Sequence, residues 1–230
     1  MPHLGIVPLG ALLLIAAIPK EAVSKESFGN RVILYDNSMS LPEEVRPALL
    51  KNIQDEGSKW IRTAYPGDRF SLWWFSGENS KYDAEHKNWE MPFLKVPAHR
   101  HRAVLERELR TWIQDVLKSI PPAKSSPILE ALYFCGASQS NTWDLLLVSD
   151  LVQDSAAWNK GAKDKDQLKT MYSICGTVDI PPRRVMIHTW PGIEKDGKAN
   201  VRKHQELKSL YRSFFEEWCP GTVLQIVAMD

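Results

Sequence analysis

The chain has almost no net charge to offer a polyanion. Its 230 residues carry 29 Lys and Arg against 28 Asp and Glu, a formal charge of +1. Such a balance gives no global field toward nucleic acid or an anionic membrane, so neither is expected as a partner. Cysteine is scarce: Cys135, Cys175 and Cys219 are widely spaced, and no C-x-x-C pair occurs. That argues against a zinc site or a thioredoxin-like redox motif. It leaves two readings open, one disulfide with a free thiol, or three buried thiols. Two catalytic signatures are missing as well. There is no G-x-S-x-G elbow for a serine nucleophile and no G-x-x-x-x-G-K-[ST] loop for a nucleotide phosphate. The sequence also lacks internal repeats and low-complexity linkers. What remains is ordinary globular material, 43% hydrophobic and 25% charged, long enough for a full core. The nine tryptophans are many for this size and are expected in the core or on a contact surface.

Long apolar runs are confined to the amino-terminal part. Residues 4–18 carry no charge and are mostly Leu, Ile, Ala and Gly, with Lys20 and Glu21 behind them. The run is short for a bilayer span and has the length of a signal-peptide apolar region. Small residues near Ala22 and Ser24 offer a cleavage site, although the usual positive flank is weak. Residues 1–24 are therefore expected to be a signal peptide or an amino-terminal membrane anchor. The product would then be exported (periplasmic, extracellular or membrane-anchored), touching a membrane only through this segment if it stays uncleaved. The alternative is an apolar first strand or helix in a cytoplasmic protein.

Behind the leader, apolar runs alternate with helical patterns. Strands are expected at 31–35, 69–75, 144–149, 184–190 and 222–228. Helices are expected at 43–64, 102–120, 127–137 and 204–218, where apolar residues recur at helical spacing. Pro42 suits a first helical turn, and Pro121-Pro122 stops the second helix. Residues 77–99 read as an edge strand with a long loop, and 152–182 as a mixed polar stretch. The run Leu145-Leu146-Leu147-Val148 has no polar alternation, as in a strand buried on both faces. Strands separated by helices predict one α/β domain over 30–230, with a doubly wound, mainly parallel, Rossmann-like central sheet flanked by helices.

In such a sheet, ligands bind beyond the carboxyl ends of the strands. Asp36-Asn37-Ser38-Met39-Ser40 follows the first strand directly. One carboxylate and two hydroxyls at alternate positions form a set of hard oxygen donors suited to a divalent cation such as Mg²⁺. An Asx or ST turn before a helix is the plainer reading. Asp150 ends the run Leu-Leu-Leu-Val-Ser-Asp, in what reads as the position equivalent to Asp36. Ser126 precedes Pro127 at a helix start, either as an N-cap or with its hydroxyl turned to the same ion.

Taken together, these motifs resemble the von Willebrand factor A domain family. Asp36, Ser38 and Ser40 match its D-x-S-x-S motif after the first strand. Ser126, in Ser-Ser-Pro-Ile-Leu-Glu-Ala-Leu, looks like its central-loop Thr, and Asp150 like its Asp after the fourth strand. Pro66-Gly67-Asp68-Arg69-Phe70, followed by Trp74-Phe75-Ser76, is similar to its second-strand region. The resemblance spans residues 30–228. It departs at Ser126, where the family has Thr, and at Leu151, where it often has Gly. The resemblance implies a metal-ion-dependent adhesion site built from Asp36, Ser38, Ser40, Ser126 and Asp150, with Mg²⁺, Mn²⁺ or Ca²⁺ bound. It implies a protein partner that supplies an Asp or Glu to the ion, with no catalysis. The loops 77–99 and 152–182 would shape partner choice.

Other candidates are weaker. His99-Arg100-His101-Arg102 reads as a solvated helix start, since Glu106 and Glu108 follow, and the two histidines lack a third ligand. His188 reads as structural. A hydrolase using a water on the Asp36/Asp150 ion is a second function class, with Asp154 as the nearest additional acid or base. A structural subunit of a secretion or envelope complex, with a vestigial site, is a third.

Overall fold

The computed structural model describes residues 29–39, 43–75, 84–92, 98–161, 166–191 and 200–229. The expected leader, Pro42 and Ser40 lie outside the described residues. In chain order the elements are β1 (Asn30–Tyr35), α1 (Arg46–Thr63), β2 (Arg69–Phe75), β3 (Ala84–Glu90), α2 (Ala98–Asp115), α3 (Ile128–Ala137), β4 (Trp143–Val148), α4 (Ala156–Gly161), α5 (Gln167–Cys175), β5 (Arg184–Thr189), α6 (Val201–Trp218) and β6 (Val223–Ala228). They form one six-stranded sheet in the order β3-β2-β1-β4-β5-β6. Every neighbouring pair is parallel except β2–β3, which is antiparallel. The expected doubly wound α/β fold is the one observed.

The sheet is sandwiched because its central strands are apolar on both faces. Val32, Leu34, Leu145 and Leu147 point into one core, with Leu132 of α3, Met171 of α5 and Phe214 of α6. Ile33, Tyr35, Leu146 and Val148 point into the other, with Leu49 and Ile53 of α1 and Leu109 and Ile113 of α2. Each fully buried Leu or Ile contributes about 1.5–3 kcal/mol. Helices α1 and α2 approach closely at Gly57, where a Cβ would lie 2.6 Å from Leu109 Cδ2. The expected Pro66-Gly67-Asp68 turn forms: Asp68 N donates to Tyr65 O at 2.9 Å, and Gly67 takes φ 89°. That positive φ at the third turn position is the type II requirement for glycine.

Several boundaries differ from expectation. Helix α1 begins at Arg46 after a turn at residues 43–45, with Pro47 in its first turn. Helix α2 starts earlier and ends at Asp115, and a 3-10 turn, Leu117–Ser119, follows it. The tighter turn changes the phase, so Leu117 is buried while Val116, expected inward, is 41% exposed. The polar stretch 152–182 holds two helices. Ser155 Oγ accepts from Trp158 N at 3.1 Å at the start of α4, and Asp166 Oδ1 accepts from Lys169 N at 3.0 Å at the start of α5. Side-chain caps thus start helices that lack strong periodicity. All three cysteines are buried free thiols. Among the described residues, no helix is long and apolar enough to cross a membrane.

Candidate metal centre

The strand order reverses between β1 and β4. Strand β1 leads to α1 on one face of the sheet, while β4 leads to α4 and α5 on the other. Diverging connections leave a crevice above the carboxyl ends of these two strands. Asp36 N donates to Val148 O at 2.9 Å, extending the ladder one residue past β1. The register pairs Tyr35 with Val148, so its next step sets Asp36 against Ser149. Asp150 is one step further on. Asp150, read from the sequence as the position equivalent to Asp36, thus lies at the same edge but offset by one residue in register.

Two short bridges fix the neighbouring loops. Met39 N donates to Ala123 O at 2.9 Å and Ala123 N to Asn37 O at 2.7 Å. Ser126 N donates to Asp154 O and Asp154 N to Ser126 O, both at 2.9 Å. These bonds hold Ser126 against the end of β1. Its hydroxyl donates to Asp36 Oδ2 at 2.8 Å. It does not cap α3, whose N-cap residue is Pro127. Gln153 takes that task, with Oε1 accepting from Leu129 N at 3.0 Å. The N-cap reading of Ser126 is thus replaced.

Asp36 is the hub. Its Oδ2 accepts from Ser126 Oγ and from Ser149 Oγ, the latter at 2.7 Å. Its Oδ1 accepts from Ser38 N at 3.2 Å, and the Ser38 side chain bonds the same carboxyl. Asp150 Oδ1 accepts from Val152 N at 2.9 Å. Asp36, Ser38, Ser126, Ser149 and Asp150 are all buried. Burial, and then the nearby Asp150 carboxylate, push the Asp36 carboxyl up to about 7, against the pull of its serine donors. Tyr211 lies behind the pair, its hydroxyl buried without a hydrogen-bond partner among the described residues, and burial beside both carboxylates pushes its phenol well up.

The donor set fits a hard divalent ion. Among the described residues, no three His, Cys, Asp or Glu cluster; the site offers two carboxylates and serine hydroxyls. A hydroxyl that gives its proton to Asp36 keeps its lone pairs for a cation. Ser126 is in that state. Ser149 spends one acceptor position on Leu151 N, at 2.9 Å, so it braces the loop as well. Sequence reasoning missed Ser149, though the pairing of Leu34-Tyr35 with Leu147-Val148 would have found it. Leu151 adopts φ 66° and is fully buried. Left-handed backbone at a leucine costs about 1–2 kcal/mol and persists only where the surroundings impose it.

The lesser candidates lie apart. Asp154 is exposed, and its Oδ1 accepts from Asn159 Nδ2 at 2.8 Å. His188 is buried in β5 with Nδ1 2.7 Å from Asn52 Oδ1, and burial lowers its pKa. Arg102 Nη2 donates to Ala64 O at 2.6 Å, tying α2 to the end of α1.

No family model matches the chain, and no curated protein matches it. Among solved structures it is similar to a von Willebrand factor type A protein from Catenulispora acidiphila, at 10% identity and a TM-score of 0.43, covering 88% of this chain and 38% of that one. It is also similar to the pilus adhesin SpaC from Lactobacillus rhamnosus GG in its open conformation, at 11% identity and a TM-score of 0.48, covering 86% and 28%. A third is proximal thread matrix protein 1 from the mussel byssus, at 13% identity and a TM-score of 0.41, covering 83% and 48%. The chain spans less than half the length of each of these structures.

Proposed function

We propose that this chain is a protein-interaction module of the von Willebrand factor A type that binds its partner through a divalent cation. The supporting observation is the buried Asp36/Asp150 pair, ringed by serine hydroxyls where the strand order reverses. Ser38 and Ser126, with Ser40 from outside the described residues, would supply neutral oxygens, and Asp36 and Asp150 the charge. Bound Mg²⁺, Mn²⁺ or Ca²⁺ would offer an open position to a partner's Asp or Glu. Neutral hydroxyl ligands leave the ion electrophilic, which favours an anionic group from outside. A binding role is preferred to hydrolysis because Asp154, the residue nearest in sequence to serve as an additional base, directs its carboxylate to Asn159. It is preferred to a vestigial site because the strained Leu151 backbone is retained beside Asp150. The leader would carry the module out of the cytoplasm.

Isothermal titration calorimetry tests the ion site. Mg²⁺ or Mn²⁺ is expected to bind the wild-type protein and not Asp36→Asn. Partner retention on the immobilised protein is expected in Mg²⁺ and lost in EDTA. Equal retention in both would exclude an ion-mediated contact.

A further inference from the structure

A second feature opens on the same edge of the sheet. Between the start of α1 and the end of α2 lies a cleft of about 570 Å³. A hydrogen bond links it to the loop that carries the candidate metal centre. Arg46, on its wall, hydrogen-bonds the Asn37 side chain, and Asn37 follows Asp36. The loop beyond α2 is tied to the same residue, with Asn37 Nδ2 donating to Pro121 O at 3.2 Å. The floor is apolar, formed by the buried Leu50 and Ile113. The rim is basic: Arg46, Lys51 and Lys118 stand against the single acid Glu43. Lys51 shares its charge with Asp55 at 2.6 Å, and both are well exposed, so that pairing is weak and exchangeable. Among the described residues Lys118 forms no ion pair.

The chain as a whole is nearly neutral, so a concentration of positive charge at this one place is a local property. An anionic site flanked by a cationic cleft discriminates: the ion takes one carboxylate, and the rim favours partners with more acid on the same segment. We propose that this cleft receives an acidic peptide segment of the partner. One carboxylate would complete the ion at Asp36. Further acidic residues of the segment would face Arg46, Lys51 and Lys118, and an apolar side chain would cover Leu50 and Ile113. The inference rests on the ion reading and adds to it the chemistry of the partner.

Three fluorescein-labelled peptides of equal length test it by anisotropy in Mg²⁺. The first carries one Asp in a Gly/Ser context; the second adds two Glu; the third adds the two Glu and a Leu. Wild type is expected to prefer the second over the first by about fivefold, in line with two exposed ion pairs, and the third over the second. Lys118→Glu, and independently Lys51→Glu, is expected to erase the preference for the second peptide and leave Mg²⁺ calorimetry unchanged. Lys169→Glu on α5 is the control and is expected to keep it. A wild-type preference that survives both rim reversals overturns the cleft. Failure of wild type to bind Mg²⁺ overturns the ion reading instead, so the two failures are distinct.

Discussion

Strand β4 has a buried carboxylate near each end, and the two are treated differently. Asp144, near its amino end, is held by arginines. Arg183 Nε and Nη2 donate to its two oxygens at 3.1 and 3.0 Å, and Arg184 Nη2 lies 3.6 Å away. Beyond the carboxyl end, Asp150 lies beside Asp36, whose hydrogen-bond donors are hydroxyls and a backbone amide. A carboxylate matched by a guanidinium is neutralised inside the fold and has little left to offer. Asp36, matched by hydroxyls and set beside a second carboxylate, is not paired with a guanidinium in this way. On the proposed reading, the two ends of β4 thus differ: a structural acid at one and a binding acid beyond the other.

The sharpest way to break this comparison is to neutralise each end separately. Asp36→Asn is expected to remove Mg²⁺ binding in calorimetry while leaving the protein folded in EDTA, because the amide oxygen can still accept from Ser126 and Ser149. Asp144→Asn is expected to leave Mg²⁺ binding intact and to lower stability by about 1 kcal/mol in urea unfolding. The discount from a fully buried pair reflects the exposure of the Arg183 side chain, 62%. If Asp144→Asn abolishes ion binding, the two ends are not separable and the contrast fails.

A smaller, pH-dependent effect sharpens it. With its folded pKa raised to about 7, Asp36 favours the native state only in its protonated form. Its contribution is fully present below the unfolded value near 3.9 and is lost as pH rises through about 7. The buried His188 and His204 act in the opposite direction. Burial lowers both, so their contribution is present above about 6.5 and falls as pH drops below it. In EDTA, thermal melting of wild type is expected to weaken between pH 5 and about 7.5 relative to Asp36→Asn. Added Mg²⁺ is expected to reverse that loss. A melting difference that stays flat over this range would show that Asp36 does not carry the proton.

Much of this was legible in the sequence, for reasons that can be named. Leu145-Leu146-Leu147-Val148 and Val32-Ile33-Leu34-Tyr35 carry no polar alternation, so two-faced burial and a parallel sheet followed. The strand-end rule then placed Asp36, Ser126 and Asp150 at one edge, and the structure puts them there. What escaped was set by register and by local hydrogen bonding. Ser149 became visible only once Tyr35 was paired with Val148. Ser126 looked like a helix cap because Ser-Pro is a common helix start, yet Gln153, 24 residues after the capped Leu129, fills that position. Helices α4 and α5 are short, and their starts depend on single capping side chains, Ser155 and Asp166, within a polar stretch whose pattern alone gives no period.

The smallest expected effect concerns Tyr211, behind the two carboxylates. Its hydroxyl is buried and has no hydrogen-bond partner among the described residues. It therefore carries a desolvation cost without a compensating bond, and removing a lone buried hydroxyl is worth about 1 kcal/mol. Tyr211→Phe keeps the ring contacts to Phe214 and Phe215 and is expected to raise the unfolding free energy in urea by that amount. Mg²⁺ affinity is expected to change less than twofold, since the ring lies behind the donor set and supplies none of the proposed ligands. A loss of stability instead would mean that the hydroxyl is satisfied in solution, for example by a water reaching the back of the Asp36/Asp150 pair. The carboxyl end of β4 would then be hydrated from within, and the carboxylates beyond it would need the proposed cation less than the contrast with Asp144 implies.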